Sequence, residues 1–204
     1  MTTIELIRHA DQTTTEWAGG TTTQLAIHPP GASYAERAFA WRLSTASVDL
    51  PESSFTPLPG FRRILMLLSG EMLLRHEGHH EQRLRAFEQD RFDGAWNTTS
   101  FGRAVDFNLM MAQGVEGDVA ALTLAPDREA VVPAAGAPER GRRRTVALYV
   151  CAGGTEVHLD GQSHFLAEKD LLLLHETPAA VPSGEPLRLR SARHARIIRT
   201  VVLY

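Results

Sequence analysis

The stretch RRILMLLSGEMLLRHEGHHEQRLRAFEQDRFDG, Arg62–Gly94, decides the fold. An apolar run ends at a glycine, a second run ends at another glycine, a short third run follows, and an acidic turn leads into a last apolar or aromatic segment. Short runs bounded by turn residues read as β-strands, and glycine supplies the positive φ that tight hairpins need. The stretch RTVALYVCAGGTEVHLDGQSHFLAEKDLLLLHE, Arg144–Glu176, repeats that order, with Gly153 and Gly161 separated as Gly70 and Gly78 are. A pattern that recurs within one chain predicts a duplicated architecture.

Outward from these two stretches the texture is the same. TIELI, TTTQLAI, FAWRLSTASV, AVDFNLMMA, DVAALTL, PLRLR and ARIIRTVVLY are short alternating or apolar runs, and none holds a helical period over three turns. The expected class is therefore all-β, with at most a single helical turn near Ser33 to Ala38, capped by Ser33. Strand, glycine, strand, turn glycine and then an aspartate before a final strand resembles the small jelly-roll barrels called cupins. The expectation is two tandem cupin-like β-barrels packed together. Residues 1–124 form an extended N-terminal barrel, and residues 125–143, rich in Pro, Ala and Gly, a linker or crossing loop. Residues 144–204 form a second barrel completed by N-terminal strands.

Composition narrows the function classes. With 204 residues, 43% hydrophobic and 22% charged, the chain can bury a core and is not a disordered segment. A net charge of −3 is too small a field to attract a polyanion, so nucleic acid is not an expected partner and the run Arg140 to Arg144 reads as a solvated loop. No apolar run approaches the roughly 18 residues of a membrane span, and Glu5, Arg8 and Asp11 interrupt the N-terminal segment as no signal peptide would allow. Cys151 is the only cysteine, which forbids an internal disulfide and fits a reducing cytoplasm. Lys169 is the only lysine among the 21 basic residues, so arginine makes up the rest. Most of these arginines read as surface, yet the guanidinium fork also grips carboxylates, and each has to be weighed singly.

The period of two isolates specific side chains. In FAWRLSTASV it puts Arg42 and Ser44 on one face with Ala40 and Ala46, and in AVDFNLMMA it puts Asp106 and Asn108 on one face with Met110. If these faces line a barrel, the small neighbours leave room for a ligand. The alternatives are that they face water, as half of an antiparallel sheet does, or that Arg42 and Asp106 form an ion pair with no ligand. In FTPLPGFRRIL one of Arg62 and Arg63 must point inward, where it either clamps a carboxylate or, at a strand end, snorkels to solvent. In WAGGTTTQLAI, Gly19 and Gly20 permit a bulge or a close backbone approach, and no phosphate loop is formed. His76, His79, His80 and Glu81 cluster around the Gly78 turn rather than two apart on a strand face, so no metal and no other cofactor is expected. Neither Cys151 nor Ser44 nor Ser69 has a base nearby in a nucleophile motif, so no catalytic residue is assigned.

Trp17 to Gly20 followed by threonines, FAWRLSTASV, FTPLPGFRR, SGEMLL, Phe92 to Gly94 and Asp106 to Met110 together resemble the HutD and Ves family of bacterial cupin-like proteins. The resemblance implies a bicupin without a required metal, associated with histidine utilisation. It also implies a ligand pocket in which Arg42, Ser44, Arg63, Asp106 and Asn108 are joined by Trp17, Gly20, Thr21 and Phe92. The expected function is that of a cytoplasmic accessory or regulatory protein that binds a small carboxylate-bearing metabolite, with urocanate and formylglutamate as candidates. A homodimer is left open. The alternatives are an enzyme acting on a small carboxylate, with Asp106 as general base, and a module whose exposed edge or linker binds another protein.

Overall fold

In the computed structural model, which describes residues 2–132, 141–176 and 186–204, the alternating runs become strands. In the first half these are β1 (Thr2–Ile7), β2 (Thr13–Trp17), β3 (Gly20–His28), β4 (Trp41–Val48), β5 (Glu52–Ser54), β6 (Phe61–His76), β7 (Glu81–Arg85), β8 (Gln89–Asp93), β9 (Thr98–Phe101) and β10 (Ala104–Ala112). The second half adds β11 (Glu116–Leu124), β12 (Glu129–Val132), β13 (Arg144–Ala152), β14 (Thr155–Leu159), β15 (Gln162–Leu166), β16 (Leu171–Glu176), β17 (Leu187–Arg190) and β18 (Ala195–Leu203). Among the described residues there is no α-helix, and none of their helices is long and apolar enough to cross a membrane. The turn expected from Ser33 is a plain one: the Arg37 N–H donates to Tyr34 O at 3.2 Å and the chain does not continue as a helix, because Arg37 adopts a φ of 56°.

The strands form two barrels, an N-terminal one of Gln12–Glu116 and a C-terminal one of Met1–Asp11 with Gly117–Tyr204. In the N-terminal barrel the strand order is β2-β3-β4-β10-β6-β9-β5, with β7 and β8 also paired to β6. The sequence suggests a turn at Gly70 between two strands, whereas β6 runs unbroken for 16 residues. Gly70 bends the strand instead of reversing it. At its φ of 82° an added Cβ would stand 2.5 Å from Arg103 O, so only glycine fits. The first half of β6 pairs with β8 and β10 and the second half with β7 and β9, which curls the sheet around Leu65, Leu67, Met72, Leu74, Leu84 and Phe92.

The C-terminal barrel has one sheet ordered β1-β16-β13-β18-β11 and one ordered β12-β17-β14-β15. Its core is aliphatic, with Val146, Leu148, Val150, Leu172, Leu174, Leu189 and Ile197 at the centre. Strand pairing places two pieces of residues 1–124 here. β1 pairs with β16 along its whole length, and β11 lies beside β18, so the C-terminal barrel takes both. Nor is all of 125–143 a linker, since β12 pairs with β17; residues 133–140, including Arg140 of the arginine run, lie outside the described residues. At the end of that run Arg144 is not solvated: it is buried in β13 and ion-paired with Glu176.

The duplication is carried by the backbone. Gly153 repeats the role of Gly70, with a φ of 79° and an added Cβ 2.7 Å from His194 O. Phe87, at a φ of 68°, donates its N–H to Leu67 O, and the Leu67 N–H donates to Glu88 O. Lys169, at a φ of 69°, donates to Val150 O, and the Val150 N–H donates to Asp170 O. The two barrels thus share the same lock at the same place in their strands. The contents differ: Arg63 faces Met110 across the β6–β10 ladder, where Val146 faces Val201 across the β13–β18 ladder.

Candidate functional site

The polar face of β4 and β10 lies inside the N-terminal barrel. The register sets Ser44 opposite Asn108 and Ala46 opposite Asp106, while Met110 lies between Arg42 on β4 and Arg63 on β6. Arg42, Ser44, Arg63, Asp106 and Asn108 are exposed by 7% or less, so none of them faces bulk water. Ser44 and Ala46 are short, and the space above them is a cavity of about 310 Å³ lined by all five residues together with Trp17, Thr22, Tyr34 and Phe55. A volume of that size is near the lower end of small-molecule pockets, roughly 300–1,000 Å³, and suits a metabolite.

The two arginines are held differently. Arg42 donates from Nε to Gln24 Oε1 at 2.9 Å and from Nη1 to Ser44 Oγ at 3.2 Å, and its guanidinium lies 4.4 Å from the centre of the Tyr34 ring. Its hydrogen bonds go to neutral groups and not to Asp106, so the ligand-free ion pair is not formed. Arg63 stands between the Phe55 and Phe92 rings, 5.1 Å from each centre, and its Nε is buried without a partner. Such stacking fixes the plane of the fork while leaving its N–H groups unused. Its neighbour Arg62 points out and donates to Val115 O at 2.9 Å.

Burial sets the charges. The Asp106 carboxyl is pushed up to about 7 by desolvation, against the opposing pull of the Arg63 guanidinium. Arg63 and Arg42 are themselves drawn below the usual arginine value by burial. Asp106 Oδ1, Asn108 Oδ1 and Trp17 Nε1 are also buried and unpartnered. Two guanidinium groups facing one carboxyl make this a poor cation site. A metal ion does not fit here, and an anion does.

Not every residue singled out in the sequence lies at the cavity. Gly20 and Thr21 do not line it. Alternation along β3 turns Thr22 toward Ala46, while Gly20 makes a close approach in which a Cβ would stand 1.9 Å from Ser47 O. Phe92 is a backing for Arg63 and not a wall of the cavity. Tyr34 and Phe55 are additions that period-two reading does not reach, since both sit outside the strands. Phe55 does open the FTPLPGFRR stretch, which was the available signal. In the other barrel the Cys151 thiol is pushed up to about 11 by burial, which makes it a weak nucleophile at neutral pH.

The histidines set aside in the sequence also come together. The Gly78 turn, closed by His76 N–H donating to His80 O at 2.9 Å, brings the rings of His76 and His80 side by side, and Asp90 from β8 meets both. The turn that argued against a strand-borne ligand pair is what assembles the group.

Among solved structures, this fold is shared with the conserved protein PA5104 from Pseudomonas aeruginosa PAO1, at 23% identity and a TM-score of 0.77, with 98% of each chain covered. HutD from Pseudomonas fluorescens SBW25 is similar at 19% identity and a TM-score of 0.64, over 97% of this chain and 98% of that one. YhhW from Escherichia coli is similar at 9% identity and a TM-score of 0.71, over 98% and 97%. The HutD family model matches residues 9–190. With both barrels spanned by that match, the chain belongs to the HutD family.

Proposed function

We propose that the N-terminal barrel binds a small carboxylate-bearing metabolite without a metal, as an accessory or regulatory protein of histidine utilisation in the cytoplasm. The observation that carries this reading is the set of buried atoms without partners on residues facing one cavity: Arg63 Nε, Asp106 Oδ1, Asn108 Oδ1 and Trp17 Nε1. Leaving such atoms unpaired costs about 1–3 kcal/mol each, and a ligand with complementary groups recovers it. Arg63, with Arg42 beside it, holds the carboxylate. Asp106 and Asn108 meet an amide or imidazole, and Trp17 and Tyr34 close over it. Membership of the HutD family makes urocanate and formylglutamate the first candidates.

Calorimetric titration of the chain with urocanate, formylglutamate and histidine tests this. One acidic metabolite binds, Arg63→Ala weakens it roughly 10- to 100-fold, and Arg63→Lys, which keeps the charge but loses the fork, recovers only part. Binding by none of the acids, or unchanged binding by Arg63→Ala, overturns the reading. The second reading, an enzyme with Asp106 as general base, is favoured by a carboxyl poised at about 7. It requires turnover of the bound acid that disappears in Asp106→Asn while binding persists.

A further inference from the structure

We infer that His76, His80 and Asp90 form a binding site for a first-row divalent cation, with Zn²⁺ the best match. The three donor atoms lie within 4.8 Å of one another. His76 Nε2 and His80 Nε2 each stand 2.9 Å from Asp90 Oδ2. Donors around a tetrahedral zinc, at bond lengths of about 2.0–2.1 Å, are separated by about 3.3 Å, so each imidazole need move from Asp90 by only a few tenths of an ångström. Two imidazoles and one carboxylate leave a fourth position for water, the pattern of an open zinc site.

The surrounding hydrogen bonds orient the donors outward to one point. His76 Nδ1 lies 2.8 Å from Thr98 Oγ1, which also lies 3.3 Å from Trp96 O, so the ring is held from behind. With Thr98 on Nδ1, it is Nε2 that faces Asp90 Oδ2 at 2.9 Å, and a metal ion would replace the hydrogen bond these two atoms share. Asp90 is fixed in turn by the Arg91 N–H, which donates to Oδ1 at 2.7 Å. The His76 side chain is fully buried and that of His80 is 38% exposed, which gives the ion a path from solvent. None of the three donors lines the cavity, so their occupancy is tested separately from it.

The test uses the tag-free chain, stripped with a chelator and titrated with ZnCl₂ and CoCl₂. One zinc per chain binds and raises the melting temperature, cobalt develops visible absorption, and the fluorescence of Trp96, which touches both His76 and His80, is quenched by cobalt. His80→Gln, at a half-exposed position, keeps the fold and loses about 100-fold in zinc affinity, while Thr98→Val loses roughly 10-fold. His79→Gln, which removes a ring stacked on Trp96 and no donor, leaves zinc affinity unchanged. The assignment is overturned if the wild-type chain binds zinc no more tightly than His80→Gln, or if His79→Gln weakens binding as much as His80→Gln does.

Discussion

Between about pH 4 and pH 8, the stability of Asp106→Asn relative to the wild type is expected to rise by about 4 kcal/mol. The folded barrel holds the Asp106 carboxyl at about 7 because burial disfavours its charge, and the Arg63 guanidinium opposes that only in part. In the unfolded chain the same group ionises near 3.8. Within this window the folded state keeps a proton that the unfolded state has lost. Stability from this group therefore falls as pH rises from about 4, and the loss is complete above about 7. Arg42, Tyr34, Glu16 and Asn108 share the cavity with it, and Asn at position 106 keeps the shape without the proton. Urea unfolding of both proteins across the window measures the difference. Curves that stay parallel would mean that Asp106 ionises as it does in water and is not desolvated.

Gly70→Ala is expected to cost about 2–5 kcal/mol. A left-handed φ on alanine accounts for about 1–2 of this, and displacement of neighbouring backbone for about 1–3. The control is Gly78→Ala. Its φ of 75° is almost the same, but no heavy atom lies within 4 Å of the added methyl group, so only the conformational share of about 1–2 kcal/mol applies. Against a total stability of about 5–15 kcal/mol, the first substitution is severe and the second is tolerable. Equal losses at the two positions would show that the close approach of Gly70 to Arg103 O does not constrain the bend in β6.

The barrels and the cavity were legible in the sequence to different depths. Alternation in AVDFNLMMA gives β10 with its bounds, and alternation in FAWRLSTASV gives the partnership of Arg42 with Ser44. It gives no way to tell an inward face from a solvent face, because Leu43, Phe107 and Leu109 on the opposite faces of the same strands are also fully buried. Only closure of the sheet decides that. Tyr34 stacks on Arg42 from a turn, and turns have no period to read. β2 is exposed along most of its length and has no apolar face to announce it. Spacing along a strand does not reveal His76 and His80, because the hairpin brings neighbours together across its own turn.

The left-handed residues Phe87 and Lys169 share no chemistry, yet each closes the same pair of hydrogen bonds onto a bulged strand. What the two halves of the chain have kept in common is a wiring diagram of amides and carbonyls, to which side chains are attached as exchangeable parts. Because the wiring fixes which positions look inward, one half fills them with Val146 and Leu148 as part of an aliphatic core. The other sets Arg63 beside Leu65 on the same rail and lines a cavity with that arginine.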